Sequence, residues 1–289
     1  LLIFRKLYDL VYRFVDGKYY QMPYFEGKIM AIPTYVMGKQ IFSVGAYEPE
    51  ISNLIRDYIN KGFSMIDVGS NIGLHILAAA FLKKDMKQKF IAFEPEKNTY
   101  EILKRNCEIN NLDFIELEQL GIGDIQCTKQ INVSTTRNQG IHSFIDRKGT
   151  IPGNEVSITT LDHYFLDLKL KNKIVLKIDV EGYEIPVLLG GINWFQQCDN
   201  LIIICEVSIN STNQWPKFSK LINRLFHIGF ASQFVINDAT LSDEGLVYSE
   251  TFNFVLSKGK IAERMLLNQA HAELIKFADF KKLNFPNKV

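Results

Sequence analysis

One stretch constrains this 289-residue chain more than any other: Phe63 to Gly73, reading FSMIDVGSNIG. Phe63 to Val68 is short, apolar and β-prone, and the run ends in Asp67-Val68-Gly69. The turn Gly69-Ser70-Asn71-Ile72-Gly73 then opens directly into an apolar helical run, Leu74 to Leu82. Strand, glycine turn and helix in that order form the plan of a nucleotide-type cofactor site. Gly69 and Gly73 let the backbone approach a ligand at angles that a Cβ forbids. The bland alternative is a tight strand-to-helix connection.

The spacing narrows the cofactor. It is Asp-x-Gly-x-x-x-Gly, not the G-x-G-x-x-G of a dinucleotide-binding dehydrogenase. A carboxylate in the strand just before the turn suits S-adenosylmethionine (SAM). SAM has no pyrophosphate for a helix end to hold, and its cationic amino-acid part gains from a nearby acid. A second short apolar run, Phe90 to Phe93, ends in Glu94-Pro95-Glu96. An acid at the tip of the second strand of a βαβ unit holds ribose hydroxyls, which is the role expected of Glu94 rather than that of a solvated strand-end charge.

Composition adds mostly exclusions. A hydrophobic content of 47% with 22% charged residues is that of an ordinary globular protein. A net charge of +1 supplies no field for nucleic acid. Cys107, Cys127, Cys198 and Cys205 form no C-x-x-C pair and no zinc spacing, so they read as reduced thiols of a cytoplasmic protein without a metal centre. No apolar run approaches the ~18 residues that span a bilayer. The chain starts at Leu1 rather than a methionine, which leaves room for residues upstream.

Taken in order, residues 1–45 read as an extension. Leu1 to Val15 has helical periodicity and packs on its own domain or on a second copy in a homodimer, with a membrane surface as the less favoured partner. Lys28 to Ile41 looks like a β-hairpin lid. Helices are expected over Ile51 to Ile59 and Asn98 to Asn110, the latter burying Tyr100, Ile102, Leu103 and Ile109. Phe114 to Leu120 reads as a third strand before Gly121-Ile122-Gly123-Asp124, where Asp124 either accepts from an adenine amino group or is a plain turn residue. Residues 125–160 read as an insertion, too long for a plain loop. It holds Asn138-Gln139-Gly140-Ile141-His142-Ser143, and His142 among small polar residues is a candidate site residue.

Ile174 to Ile178 is the fourth strand, followed by the chain's densest chemistry, Lys177-Ile178-Asp179-Val180-Glu181-Gly182-Tyr183-Glu184. Ligands of open α/β sheets bind off the carboxyl ends of strands, which puts Asp179 and Glu181 on the working side. Two carboxylates there can act as general base, ligate a cation or hold substrate hydroxyls. Leu201 to Cys205 is a fifth strand capped by Glu206, and Phe230 to Ile236 with Phe252 to Leu256 supply two more. The alternation predicts an α/β fold: a mostly parallel, doubly wound sheet with an antiparallel hairpin at one edge, over residues 46–258. Residues 259–289 form a tail, helical over Ile261 to Phe280.

Five motifs in this order carry a resemblance: YEPE (Tyr47 to Glu50), IDVGSNIG (Ile66 to Gly73), AFEPE (Ala92 to Glu96), TTLDHYF (Thr159 to Phe165) and LKIDVEGYEIPVLLGG (Leu176 to Gly191). The set resembles the FkbM-type methyltransferase family from about Gly45 to Glu206. The resemblance implies a class I, Rossmann-like, seven-stranded SAM-dependent methyltransferase with one antiparallel edge strand. It further implies an O-methyltransferase acting on a hydroxyl of a sugar, glycan or other natural product. By position, Asp67, Gly69, Asn71 and Gly73 would line the methionine side of SAM. Ser70 stands where the family often has Ala. Glu94 would hold the ribose, and Asp124 would sit near the adenine. Asp179, Glu181 and Glu206 would meet the substrate, with Asp179 or His142 as base and Glu181 orienting. A divalent cation between Asp179 and Glu206 is an open variant. A non-catalytic scaffold and an N-methyltransferase of a small molecule are the rival readings. A nucleic acid methyltransferase is disfavoured, because no Asp-Pro-Pro-Tyr motif stands at Ile178 to Glu181.

Overall fold

A computed structural model of the chain describes residues 15–136, 142–146, 149–168, 170–208, 215–242, 245–260 and 275–276. The backbone gathers into two units, Leu1–Gly121 with Cys127–Ile158, and Ile122–Gln126 with Thr159–Val289. The first unit begins with strands β1 (Tyr20–Tyr24) and β2 (Gly27–Ala31) and helices α1 (Val36–Val44) and α2 (Pro49–Asn60). The glycine turn follows strand β3 (Ser64–Val68) and opens helix α3 (Leu74–Ala80). Then come β4 (Phe90–Phe93), α4 (Lys97–Glu108), β5 (Glu116–Glu118), β6 (Gly121–Ile122), β7 (Cys127–Ser134) and β8 (Thr150–Thr159). All five residues of β3 are buried, as a central strand requires, and β3, β4 and β5 pair in parallel. The insertion carries strands of its own, since β7 and β8 pair antiparallel from Cys127↔Ile158 to Ser134↔Thr150.

The hairpin is not where the sequence placed it. It pairs β1 with β2 across the Phe25-Glu26 turn, and much of the expected hairpin Lys28 to Ile41 is helix α1. Periodicity decides between the two. Met22, Tyr24, Ile29 and Ala31 are buried in a two-residue rhythm, whereas Met37, Gly38 and Ile41 are buried at helical spacing. Gly38 lies where a Cβ would stand 1.9 Å from the Ile32 carbonyl oxygen, so the helix packs closely on the chain that leads into it. These residues share a core with Ile72, Leu74 and Ala78, so the hairpin and α1 pack on the glycine turn and its helix.

The second unit holds α5 (Leu161–Tyr164), β9 (Ile174–Ile178), α6 (Glu184–Leu189), α7 (Ile192–Gln197), β10 (Leu201–Ser208), α8 (Trp215–His227), β11 (Phe230–Ser242), β12 (Gly245–Lys258) and β13 (Ile275–Lys276). Its strand order is β9-β10-β12-β11-β13. Strands β9 and β10 are parallel, and β12 runs against both β10 and β11. The expected antiparallel hairpin is β11–β12, but its return strand inserts between β10 and β11 instead of lying at the edge. Phe254, Val255 and Leu256 are each 0% exposed, a run apolar on both faces that only an interior position can bury. The TTLDHYF motif proves structural: Asp162 accepts from Trp194 N at 2.7 Å, and Phe165 stacks on the Trp194 ring at 4.1 Å. Of the expected tail helix only Ile275–Lys276 is described, as strand, and the rest lies outside the described residues, as do residues 1–14 of the expected N-terminal helix. No helix among the described residues is long and apolar enough to cross a membrane.

Helix α4 does not bury the face expected of it. Leu103 is buried, but Asn106 (0% exposed) and Cys107 accompany it, while Tyr100, Ile102 and Ile109 are half-buried. Asn106 accepts from Met30 N at 2.6 Å and donates to the Ile72 carbonyl at 2.8 Å. One turn on, Asn110 accepts from Lys28 N at 2.8 Å and donates to the Lys28 carbonyl at 2.7 Å. Two amides thus complete the open edge of β2 and tie it to the glycine turn. Removing the buried one strands a donor and an acceptor, each worth about 1–3 kcal/mol when left unsatisfied. Asn106→Ala should therefore lower the unfolding free energy in urea by about 3 kcal/mol, and Asn110→Ala by about 1 kcal/mol or less, because its partners can turn to water.

Candidate functional site

Between β3 and α3 the backbone turns through three left-handed residues, Gly69 (φ 81), Asn71 (φ 50) and Gly73 (φ 96). Gly69 N and Ser70 N both donate to the Phe93 carbonyl, at 3.0 and 2.9 Å. Ser70 Oγ returns a bond to the Asp67 carbonyl at 2.9 Å, and Gly73 N donates to the Ser70 carbonyl at 2.8 Å. A Cβ at Gly73 would stand 2.5 Å from Leu77 Cδ1 and 2.7 Å from Leu103 Cδ1. Asp67, 1% exposed, closes β3 beside the turn. Asp67, Gly69, Ser70, Asn71 and Gly73 thus form one cradle.

Glu94 joins them. Its Oε2 accepts from Asn71 N and its Oε1 from Glu96 N, each at 2.9 Å. The next acid does the opposite job: Glu96 caps α4, accepting from Thr99 N at 2.7 Å and Thr99 Oγ1 at 2.9 Å. Burial pushes the Glu94 carboxyl up to about 8, despite the two N–H donors, and neighbouring Glu96 and Asp67 add to the rise. A carboxylate offers about four acceptor positions. Two are taken by backbone N–H groups among the described residues. The other two would suit a ribose diol, so these residues fit SAM, which Glu94 would hold at the ribose and the glycine turn at the amino-acid half.

Around the same helix the YEPE motif acquires a structural meaning. Glu48 takes a left-handed backbone (φ 40) at the start of α2. Its carboxylate meets His75 Nε2 at 3.1 Å, while His75 Nδ1 faces Ser52 Oγ at 3.3 Å. Tyr24 OH donates to the Leu74 carbonyl at 3.0 Å. These buried polar groups brace the first turn of α3.

In the second unit the carboxylates collect around a residue that motif reading passed over. Strand β9 is wholly buried, yet its fourth residue is Lys177. The Lys177 ammonium lies 3.7 Å from Asp179 Oδ2 and 3.8 Å from Glu206 Oε2. A charged residue inside a buried strand was the available signal. The other members disperse. Glu181 takes a left-handed backbone (φ 53) in the turn after β9, whereas Glu184 accepts from Gly182 N at 2.6 Å. Asn253 pairs across the strands with Glu206, and its Oδ1 is buried with no hydrogen-bond partner among the described residues. Asp124 is exposed on a bend. No group of three or more His, Cys, Asp or Glu able to hold a metal occurs among the described residues.

His142 belongs to the first unit, where its Nδ1 accepts from Ser134 N at 3.1 Å. Burial lowers its pKa, outweighing the pull of Glu96, so the ring is neutral at pH 7. With Nδ1 accepting, the proton sits on Nε2, which makes that nitrogen a donor. Residues 138–141 beside it lie outside the described residues. The four cysteines are free of disulfides, and burial pushes the Cys107 and Cys198 thiols up to about 12, which removes them as nucleophiles.

Comparison with known proteins finds methyltransferases. "Methyltransferase sdnD" of Sordaria araneosa is 28% identical over 192 residues, covering 56% of this chain and 70% of that protein. "Methyltransferase 1" of Beauveria bassiana is 26% identical over 167 residues, 49% of this chain and 64% of that protein. "Hexuronic acid methyltransferase AglP" of Haloferax volcanii is 24% identical over 163 residues, 56% of this chain and 64% of that protein. The chain thus spans less than two thirds of the length of the latter two. The model of the methyltransferase FkbM domain matches residues 67–232, more than half of the chain. From Asp67 near the end of β3 to the opening residues of β11, this protein belongs to the FkbM methyltransferase family.

Proposed function

We propose that the chain is a SAM-dependent O-methyltransferase acting on a hydroxyl of a sugar, glycan or related natural product. The observation that carries this is the glycine turn clasped by Glu94, whose two remaining acceptor positions suit a ribose diol. The Haloferax volcanii relative, named a hexuronic acid methyltransferase, adds support for a sugar acceptor.

Bound at the turn, SAM would supply a methyl group already activated by its sulfonium. The protein's own residues then have to orient an acceptor oxygen and remove its proton. Asp179, half-buried and bearing an acceptor-only carboxylate, is the base in this reading. His142, with Nδ1 occupied by Ser134 N–H and Nε2 protonated, is better suited to donate a hydrogen bond than to take a proton. Glu181 and Glu206 orient the acceptor, with Asn253 Oδ1 available for a further hydroxyl. Asp124 is proposed to meet the adenine.

Calorimetric titration with S-adenosylhomocysteine tests the cofactor half. The intact chain should bind it and Glu94→Ala should not; no binding by the intact chain would leave a scaffold as the better reading. Screening methyl α-D-glucopyranoside against methyl α-D-glucopyranosiduronate tests the acceptor half. On any acceptor that turns over, Asp179→Asn should cut kcat by about 10²–10⁴-fold and leave S-adenosylhomocysteine affinity intact. Unchanged turnover would remove Asp179 as base.

The raised Glu94 carboxyl gives a pH signature. It must be ionised to accept from two hydroxyls, so affinity for S-adenosylhomocysteine should rise roughly tenfold per pH unit from pH 6 and level off near 8. Glu94→Gln should bind weakly with a flat profile. Stability runs the other way. A carboxyl raised above its unfolded value stabilises the fold fully at acid pH, and that contribution is lost as pH climbs through about 8. Glu94→Gln should therefore raise the Tm of the cofactor-free protein at pH 8 but not at pH 4, as read by scanning calorimetry.

A further inference from the structure

Lys177 is costly where it stands. Every residue of β9 is buried, and the Lys177 side chain is 0% exposed. An ammonium removed from water needs carboxylate partners to offset its desolvation. Register explains how it finds two. Lys177 pairs with Ile204 across the parallel strands β9 and β10. Asp179 and Glu206 each follow by two residues, so all three side chains project from the same face. The lysine reaches forward along that face to the strand tips, where its nitrogen lies nearly equidistant from Asp179 Oδ2 (3.7 Å) and Glu206 Oε2 (3.8 Å). The carboxylates keep side-chain exposures of 24% and 19%. An incoming molecule therefore meets the two carboxylates, with the ammonium beneath them.

We infer that Lys177 is a positioning residue that stands where a divalent cation would otherwise bridge Asp179 and Glu206, so that the fold itself supplies the charge holding this acceptor-binding pair together. The inference deepens the methyl-transfer reading and rests on it for its purpose. Its geometry belongs to the second unit alone. Without the ammonium, two carboxylates would face one vacated volume, an oxygen-donor arrangement that hard divalent cations favour. The lysine thus acts through Asp179 and Glu206 and makes the pair independent of metal supply.

The test needs no acceptor. Mn²⁺ is titrated into the full chain and followed by electron paramagnetic resonance, for the wild type, Lys177→Ala, Lys177→Met, Lys177→Arg and the double variant Lys177→Ala/Asp179→Asn. Lys177→Ala and Lys177→Met should each bind one Mn²⁺ at least roughly tenfold more tightly than the wild type. Lys177→Arg keeps the charge and should show no gain, and the double variant should lose it. Lys177→Met fills the lysine's volume and guards against collapse of the smaller variant, with circular dichroism reporting the fold. The inference is overturned if the charge-removing variants bind Mn²⁺ no better than the wild type, or if the gain survives loss of the Asp179 carboxylate. Failure of the wild type to bind S-adenosylhomocysteine would sink the methyl-transfer reading separately, while the Mn²⁺ contrast would still decide the place of Lys177.

Discussion

The first unit is built around a buried carboxylate with no cation beside it among the described residues. Glu94 is buried, and what keeps it in place is a pair of backbone N–H groups, one from the turn after β3 and one from its own strand end. Such a group is expensive to hide. The expense shows as a carboxyl raised to about 8, the state of an acceptor still short of donors. The turn is shaped around it: the left-handed Asn71 points its N–H at Glu94, and the flanking glycines permit that shape. A ligand bearing two hydroxyls would complete the carboxylate's hydrogen bonds, so affinity and the strain of the free protein have one source.

The second unit meets the opposite difficulty and solves it differently. There the hidden charge is positive, and two side-chain carboxylates approach it. Backbone donors hold Glu94 at both of its oxygens. Asp179 and Glu206 instead approach the ammonium through their side chains, from the tips of two parallel strands.

Much of this was legible in the residues. Asp67, Gly69 and Gly73 announce the turn because the geometry tolerates few substitutes, and Glu94 is marked by its place at a strand tip. The insertion announced itself by its length, too great for a plain loop, and strands β7 and β8 fill much of it. The hairpin was misplaced because Lys28 to Ile41 contains the end of a real strand and the start of a helix separated only by Pro33, and apolar content alone does not distinguish their periods. Asn106 and Lys177 escaped for a shared reason. Polar residues on buried faces defy the hydrophobic pattern, and their meaning lies in partners distant in sequence, Met30 and Ile72 for one, Glu206 for the other. TTLDHYF carried part of the family resemblance yet serves packing, through the Asp162 cap and the Phe165–Trp194 stack.

The amide ties from Asn106 and Asn110 to β2 bear on where the heritable unit of this family ends. The matched region opens at Asp67, yet two of its amides, one on α4 and one in the turn after it, spend hydrogen bonds on Met30 and Lys28, well upstream of it. A sequence comparison draws the module's border at the glycine turn, whereas the hydrogen bonds draw it at the hairpin. Recombination that joined residues 67–232 to a foreign leader would inherit amides with nothing to bind, unless the new leader also offered a strand edge. The upstream hairpin is therefore held twice over, in backbone by the two amides and in side chains by the core that Met22, Tyr24, Ile29 and Ala31 share with the glycine turn.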